Sequence, residues 1–196
     1  MMYLMSANKK KKIIENSYLR FCNSDSIYIS VADFFMEGGF DNNCTLHEKQ
    51  RFYAGAEKFA DYIRMISLVI NEDTSYIGSF VKHENNYYKW KDIKNFDAYN
   101  TLKAEFGKRE IRKISISKSK LVDLIVECNL RYLSRIMFYL PENELFIILD
   151  MHCYIEIFGN SEKLDKLYSI LSIKNNNGYI ITKEINSEAI EIREQF

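Results

Sequence analysis

Residues 144–158 read ELFIILDMHCYIEIF, and the order of apolar and polar side chains within them decides the fold. The odd positions, Leu145, Ile147, Leu149, Met151, Cys153, Ile155 and Ile157, are all apolar. The even positions are mixed: Glu144, Phe146, Ile148, Asp150, His152, Tyr154, Glu156 and Phe158. A period of two is the mark of a β-strand with one face in a core. The stretch is long against a usual strand of about five or six residues, so the pattern predicts a hairpin bending at Asp150-Met151-His152. A two-residue loop would set Leu149 opposite His152 and mix the faces. A three-residue loop sets Leu149 opposite Cys153, Ile147 opposite Ile155 and Leu145 opposite Ile157, and so keeps the faces sorted. With no glycine in the bend, His152 is expected to take the left-handed position. The odd set faces the core under either connection.

The flanks extend this unit. Tyr132–Leu140 reads as a strand leading into a Pro141 turn. Asn160 or Ser161 caps a helix over Glu162–Ile173, with Leu164, Leu167 and Leu171 on one side, and Tyr179–Ile185 reads as a last strand. Upstream, Thr45 and Glu48 have capping-box spacing. The helix they start runs to about Ile70 and shows Phe52, Ala56, Phe59, Ile63 and Ile66 on one face. Helices are also predicted over Val31–Glu37, Asp92–Phe106 and from Ser117 or Ser119 to Cys128. Tyr18–Cys22, Ser26–Ile29, Ser75–Lys82, Tyr87–Trp90 and Ile111–Ser117 read as strands. The expectation is an α+β fold: a mainly antiparallel sheet built around 132–158 and 179–185, with several helices packed on it. Residues 1–196 are read as one domain, with 108–113 as the boundary should there be two subdomains.

Composition sets the class. Of 196 residues, 47% are apolar and 28% charged, which suits a globular chain with a sizeable core. No apolar run approaches the roughly 20 residues of a membrane helix. Met1–Lys12 sets its apolar residues before its lysines, the reverse of a signal peptide, so a cytoplasmic protein with no membrane partner is expected. Cys22, Cys44, Cys128 and Cys153 lack C-x-x-C spacing and read as buried thiols.

Formal charge is zero overall but uneven. Residues 82–140 hold thirteen Lys/Arg against seven Asp/Glu, and residues 141–196 hold five against ten. Within the basic region, Tyr87, Lys89, Trp90, Lys91 and Lys94 interleave aromatic rings and cations, as single-stranded nucleic-acid binders do. Tyr88 and Trp90 at alternate positions serve equally well as core residues. In the acidic half, Asp150, His152, Tyr154, Glu156, Glu162 and Asp165 form a candidate surface for a basic protein partner.

Motifs of catalysis are missing from the sequence. His47, His83 and His152 do not pair at zinc-ligand spacing. Cys153 and His152, adjacent on a strand, point to opposite faces and make no nucleophile–base dyad. Gly38-Gly39 lacks the lysine and the further glycine of a phosphate loop. No catalytic residue, cofactor or metal is therefore assigned.

From Leu145 through Leu171, LFIILDMHCYIEIFGNSEKL and onward, the chain resembles the hairpin-then-helix ending of some small bacterial immunity proteins. These are cytoplasmic antidotes to contact-dependent growth-inhibition toxins and other polymorphic toxins. A composition rich in Asn, Lys and Ile suits an AT-rich bacterial locus. The resemblance implies a non-enzymatic protein that binds and blocks a cognate toxin domain, often a nuclease. It carries over no binding residue. The alternatives are a nucleic-acid-associated or regulatory domain using residues 82–120, and an enzyme of unassigned chemistry.

Overall fold

The computed structural model describes residues 7–31, 45–78, 97–106, 111–131, 133–150, 153–174 and 179–185. They form an α+β fold with five helices and a seven-stranded sheet. The helices are α1 (Ala7–Phe21), α2 (Leu46–Val69), α3 (Asp97–Phe106), α4 (Leu121–Leu130) and α5 (Ser161–Lys174). The strands are β1 (Ser26–Val31), β2 (Thr74–Gly78), β3 (Ile111–Ser115), β4 (Met137–Leu140), β5 (Leu145–Asp150), β6 (Tyr154–Gly159) and β7 (Tyr179–Glu184). Their order is β3-β2-β4-β5-β6-β1-β7, and every neighbouring pair is antiparallel.

The hairpin expected from residues 144–158 is β5–β6. Ile147 and Ile155 are both 0% exposed, and Leu145, Leu149, Cys153 and Ile157 are buried with them. The register differs from the expectation by one step. Asp150 pairs with Tyr154, Leu149 with Ile155 and Ile147 with Ile157, so the bend is residues 151–153. Parity survives because the connection still has three residues. Cys153, at φ 64°, takes the left-handed position and donates its N–H to Asp150 O at 3.1 Å. His152 and Met151 lie outside the described residues.

The sheet has a helix layer on each side. The odd face joins α2, α3, α4 and α5 in the larger core, which includes Phe52, Phe59, Ile63, Ile125, Leu164, Leu167 and Leu171. The capping box at Thr45 forms as read: Thr45 N donates to Glu48 Oε2 at 2.7 Å and Glu48 N to Thr45 Oγ1 at 3.2 Å. Asn160 caps α5 by accepting from Lys163 N at 3.3 Å. Among the described residues, the second layer is α1. Ile14, Tyr18 and Phe21 pack with Met137, Tyr139, Phe146, Ile148 and Phe158. Tyr18–Cys22 was expected to be a strand. Its spacing with Ile14 instead puts apolar groups on one helix face, and burying that face outweighs the β preference of Tyr and Leu.

Two further expectations change. The strand read from Tyr132 starts only at Met137, because Asn129 captures the preceding chain. Asn129 Nδ2 donates to Ile136 O at 2.9 Å, its Oδ1 accepts from Ile136 N at 3.1 Å, and Ser134 Oγ also donates to it. Those side-chain bonds replace a sheet ladder for this segment. Cys22 is exposed, whereas Cys128 and Cys153 are buried, and all three are outside any disulfide. Val31 ends β1, and the helix read beyond it lies outside the described residues, as do residues 82–96 and Cys44. No described helix is long and apolar enough to cross a membrane.

Candidate functional site

The even face of the sheet is covered unevenly. Beneath α1 it is apolar and sealed: Phe146 is stacked on Phe158 with ring centroids 5.2 Å apart, and Tyr18 meets both rings edge-on at 5.7 Å. Toward β7 the side chains become polar. Strand alternation puts Ser26, Tyr28 and Ser30 of β1 on this side. Register puts Glu156 and Tyr154 of β6 beside Tyr28 and Ser30, and Thr182 and Ile180 of β7 on their other flank.

These residues shape a shallow open depression of about 410 Å³, lined by Tyr28, Ser30, Tyr154, Thr182 and Glu184. Tyr28 and Tyr154 meet edge to face, 5.3 Å between centroids at 70°. Behind them sits the half-buried Glu156. Its Oε1 accepts from Ser26 Oγ at 3.3 Å and from Tyr28 Oη at 3.4 Å. Burial raises the Glu156 carboxyl above its ordinary value. The Ser26 and Tyr28 hydroxyls and Arg135 pull it back, while Asp150 adds to the rise. The Tyr154 phenol is pushed up to about 12 by burial and by Asp150 and Glu156. Tyr28 is raised by burial, then by Glu156, with Glu184 contributing. Carboxylates from three strands therefore act on two phenols in one place, with Arg135 the opposing charge.

The Glu156 shift has a testable sign. A carboxyl raised on folding favours the native state most below its unfolded value, and that advantage is lost as pH rises through the folded value. Glu156→Gln removes this penalty and keeps an acceptor for Ser26 and Tyr28. Its melting temperature is expected to exceed that of the parent by about 2 °C at pH 7, with the gap closing near pH 4. A gap that widens on acidification would reverse the assignment.

The acidic candidates separate. Asp150, Tyr154 and Glu156 share the even face. Glu162 and Asp165 are exposed on α5, whose leucines pack on the opposite side of the sheet. There Asp165 accepts from Lys183 Nζ, which also lies 3.6 Å from Asp25. The acidic residues around α2 are engaged internally: Asp61 bonds Arg64, Glu72 is buried, and Asp73 accepts from Ser115 and Ser117. Tyr87, Lys89, Trp90, Lys91 and Lys94 lie outside the described residues. The sequence reading overlooked Tyr28, Ser30, Thr182 and Glu184. For Tyr28, Thr182 and Glu184 the available signal was alternation within two predicted strands; Ser30 lay just past the first, which was read to end at Ile29 but runs to Val31, and only the order β6-β1-β7 makes the four neighbours. Among the described residues, no group of three or more His, Cys, Asp or Glu could hold a metal ion.

The chain matches no protein-family model, no curated protein and no solved structure.

Proposed function

We propose that this chain is a non-enzymatic binding protein of the immunity type, one that neutralises a bacterial toxin domain by covering its working surface. The observation that carries the reading is the polar end of the even face, where Tyr28 and Tyr154 stand among Asp150, Glu156 and Glu184 on paired strands. Tyrosines are enriched among residues that dominate protein–protein affinity, and they lose little rotamer freedom on binding. Carboxylates around them give speed and selectivity toward a basic partner. A nuclease, which must attract phosphate, has such a basic surface.

The test is to identify the genes that flank this one and to coexpress the chain with any toxin domain they encode. Growth is expected to be restored, and the two chains are expected to copurify as a stoichiometric complex. Tyr28→Ala combined with Tyr154→Ala is expected to weaken that complex by at least roughly tenfold. Failure to protect against any toxin encoded at the locus, or a locus of metabolic genes alone, would overturn the reading.

A further inference from the structure

We propose that the depression between β6, β1 and β7 receives one arginine side chain of the protein partner. The inference rests on the preceding reading only for the partner being a protein. The depression is lined by two aromatic rings, two hydroxyl-bearing side chains, Ser30 and Thr182, and the carboxylate of Glu184. A guanidinium can lie against a tyrosine ring while its N–H groups reach carboxylate and hydroxyl oxygens at the rim. The edge-to-face packing of Tyr28 and Tyr154 supplies two ring orientations at right-angle-like inclination, 70°, for such a plane.

The local charge agrees. Both phenols resist losing their protons, first because they are buried and then because carboxylates surround them: Asp150 and Glu156 for Tyr154, Glu156 and Glu184 for Tyr28. Burial disfavours a charge of either sign, so it is the contribution of these carboxylates, and not the whole shift, that favours a positive group here. Arg135, which acts on Tyr154 and Glu156 with the opposite sign, is the one described cation named among these influences. Among the described residues named in these influences, three carboxylates, Asp150, Glu156 and Glu184, stand against that one guanidinium. The site sits near the β7 edge of the sheet, so an incoming side chain meets a shallow open surface rather than a channel.

The test uses the full chain and no toxin, so it can fail independently of the proposed function. The ¹⁵N-labelled protein is titrated with the peptides acetyl-Gly-Arg-Gly-amide, its lysine counterpart and its neutral citrulline counterpart. The arginine peptide is expected to shift the amides of Tyr28, Ser30, Tyr154 and Thr182 with a millimolar Kd. Lysine should bind several-fold more weakly, and citrulline should cause no saturable shift. Glu184→Gln, on an exposed edge position, is expected to weaken arginine binding by roughly two- to fivefold. Arg135→Gln is expected to strengthen it by about twofold, a gain that damage to the fold would not produce. Equal shifts from citrulline, shifts centred elsewhere or no binding at millimolar peptide would overturn the proposal. Lysine binding as tightly as arginine would overturn the guanidinium assignment.

Discussion

Gly159→Ala is expected to abolish stable folding, or to lower stability by at least about 4 kcal/mol, among the largest effects any single substitution produces. Gly159 ends β6 opposite Leu145, where β5 begins. Its φ of 149° lies where L side chains rarely go. A Cβ there would stand 2.1 Å from Glu144 O and 3.0 Å from Leu145 Cα, both backbone atoms. No rotamer change relieves that overlap, so the strand ends must move apart. Moving them breaks the bond from Asn160 N to Glu144 O, 3.2 Å long, which joins the hairpin to the start of α5. Because domains are stable by only about 5–15 kcal/mol, the variant should unfold at much lower urea or collect in the insoluble fraction. Loss of cooperative urea unfolding checks this. A midpoint matching the parent would mean that the backbone at Gly159 adapts freely.

The sheet was legible where side-chain parity was strict, and the site was not. In β5 and β6 every odd residue is apolar, so one face announces itself, and a shift of the bend by one step left that face intact. Cys153 takes a left-handed conformation at the end of the bend, where the register is fixed by pairing along two strands and not by the preference of one loop residue. Tyr18 misled because a helix that covers a sheet and a strand within it both show Tyr and Leu beside polar residues. Only the repeat through Ile14 and Phe21 separates them. The open depression depends on β1 lying between β6 and β7, strands far from it in sequence. No local pattern encodes that adjacency. The acidic residues of the C-terminal half looked like one patch because they are close along the chain. The sheet then divided them, with Glu156 on one side and Asp165 on the other.

Glu72 has the second large expected effect, and it concerns the turn that joins β4 to β5. The left-handed residue Asn71, φ 55°, closes α2, and Glu72 follows it into the interior. Glu72 N donates to Ser67 O at 3.0 Å, and Ser67 Oγ donates to Glu72 O at 2.8 Å, so the backbone is pinned from both sides. Its side chain then reaches the 141–144 turn. Glu72 Oε1 accepts from Glu142 N at 2.9 Å, and Oε2 accepts from Asn143 N at 3.0 Å and Asn143 Nδ2 at 2.8 Å. The residue is only 3% exposed. A carboxylate in this position does what a helix N-terminus does for an anion, in reverse: it gathers donors that the hairpin cannot satisfy itself. Hydrogen bonds to charged groups are worth about 1.5–3 kcal/mol each, but they are not additive and water can partly replace the lost oxygens at a surface turn. Glu72→Ala is therefore expected to cost about 3 kcal/mol, and Glu72→Gln, which keeps one acceptor, about half as much. Urea midpoints give the ranking. Hydrogen exchange locates the cause: the amides of Glu142 and Asn143 should lose protection in Glu72→Ala before the β5–β6 amides do. Equal stability of the Ala and Gln variants would mean that packing of the side chain, rather than its acceptors, holds the turn to α2.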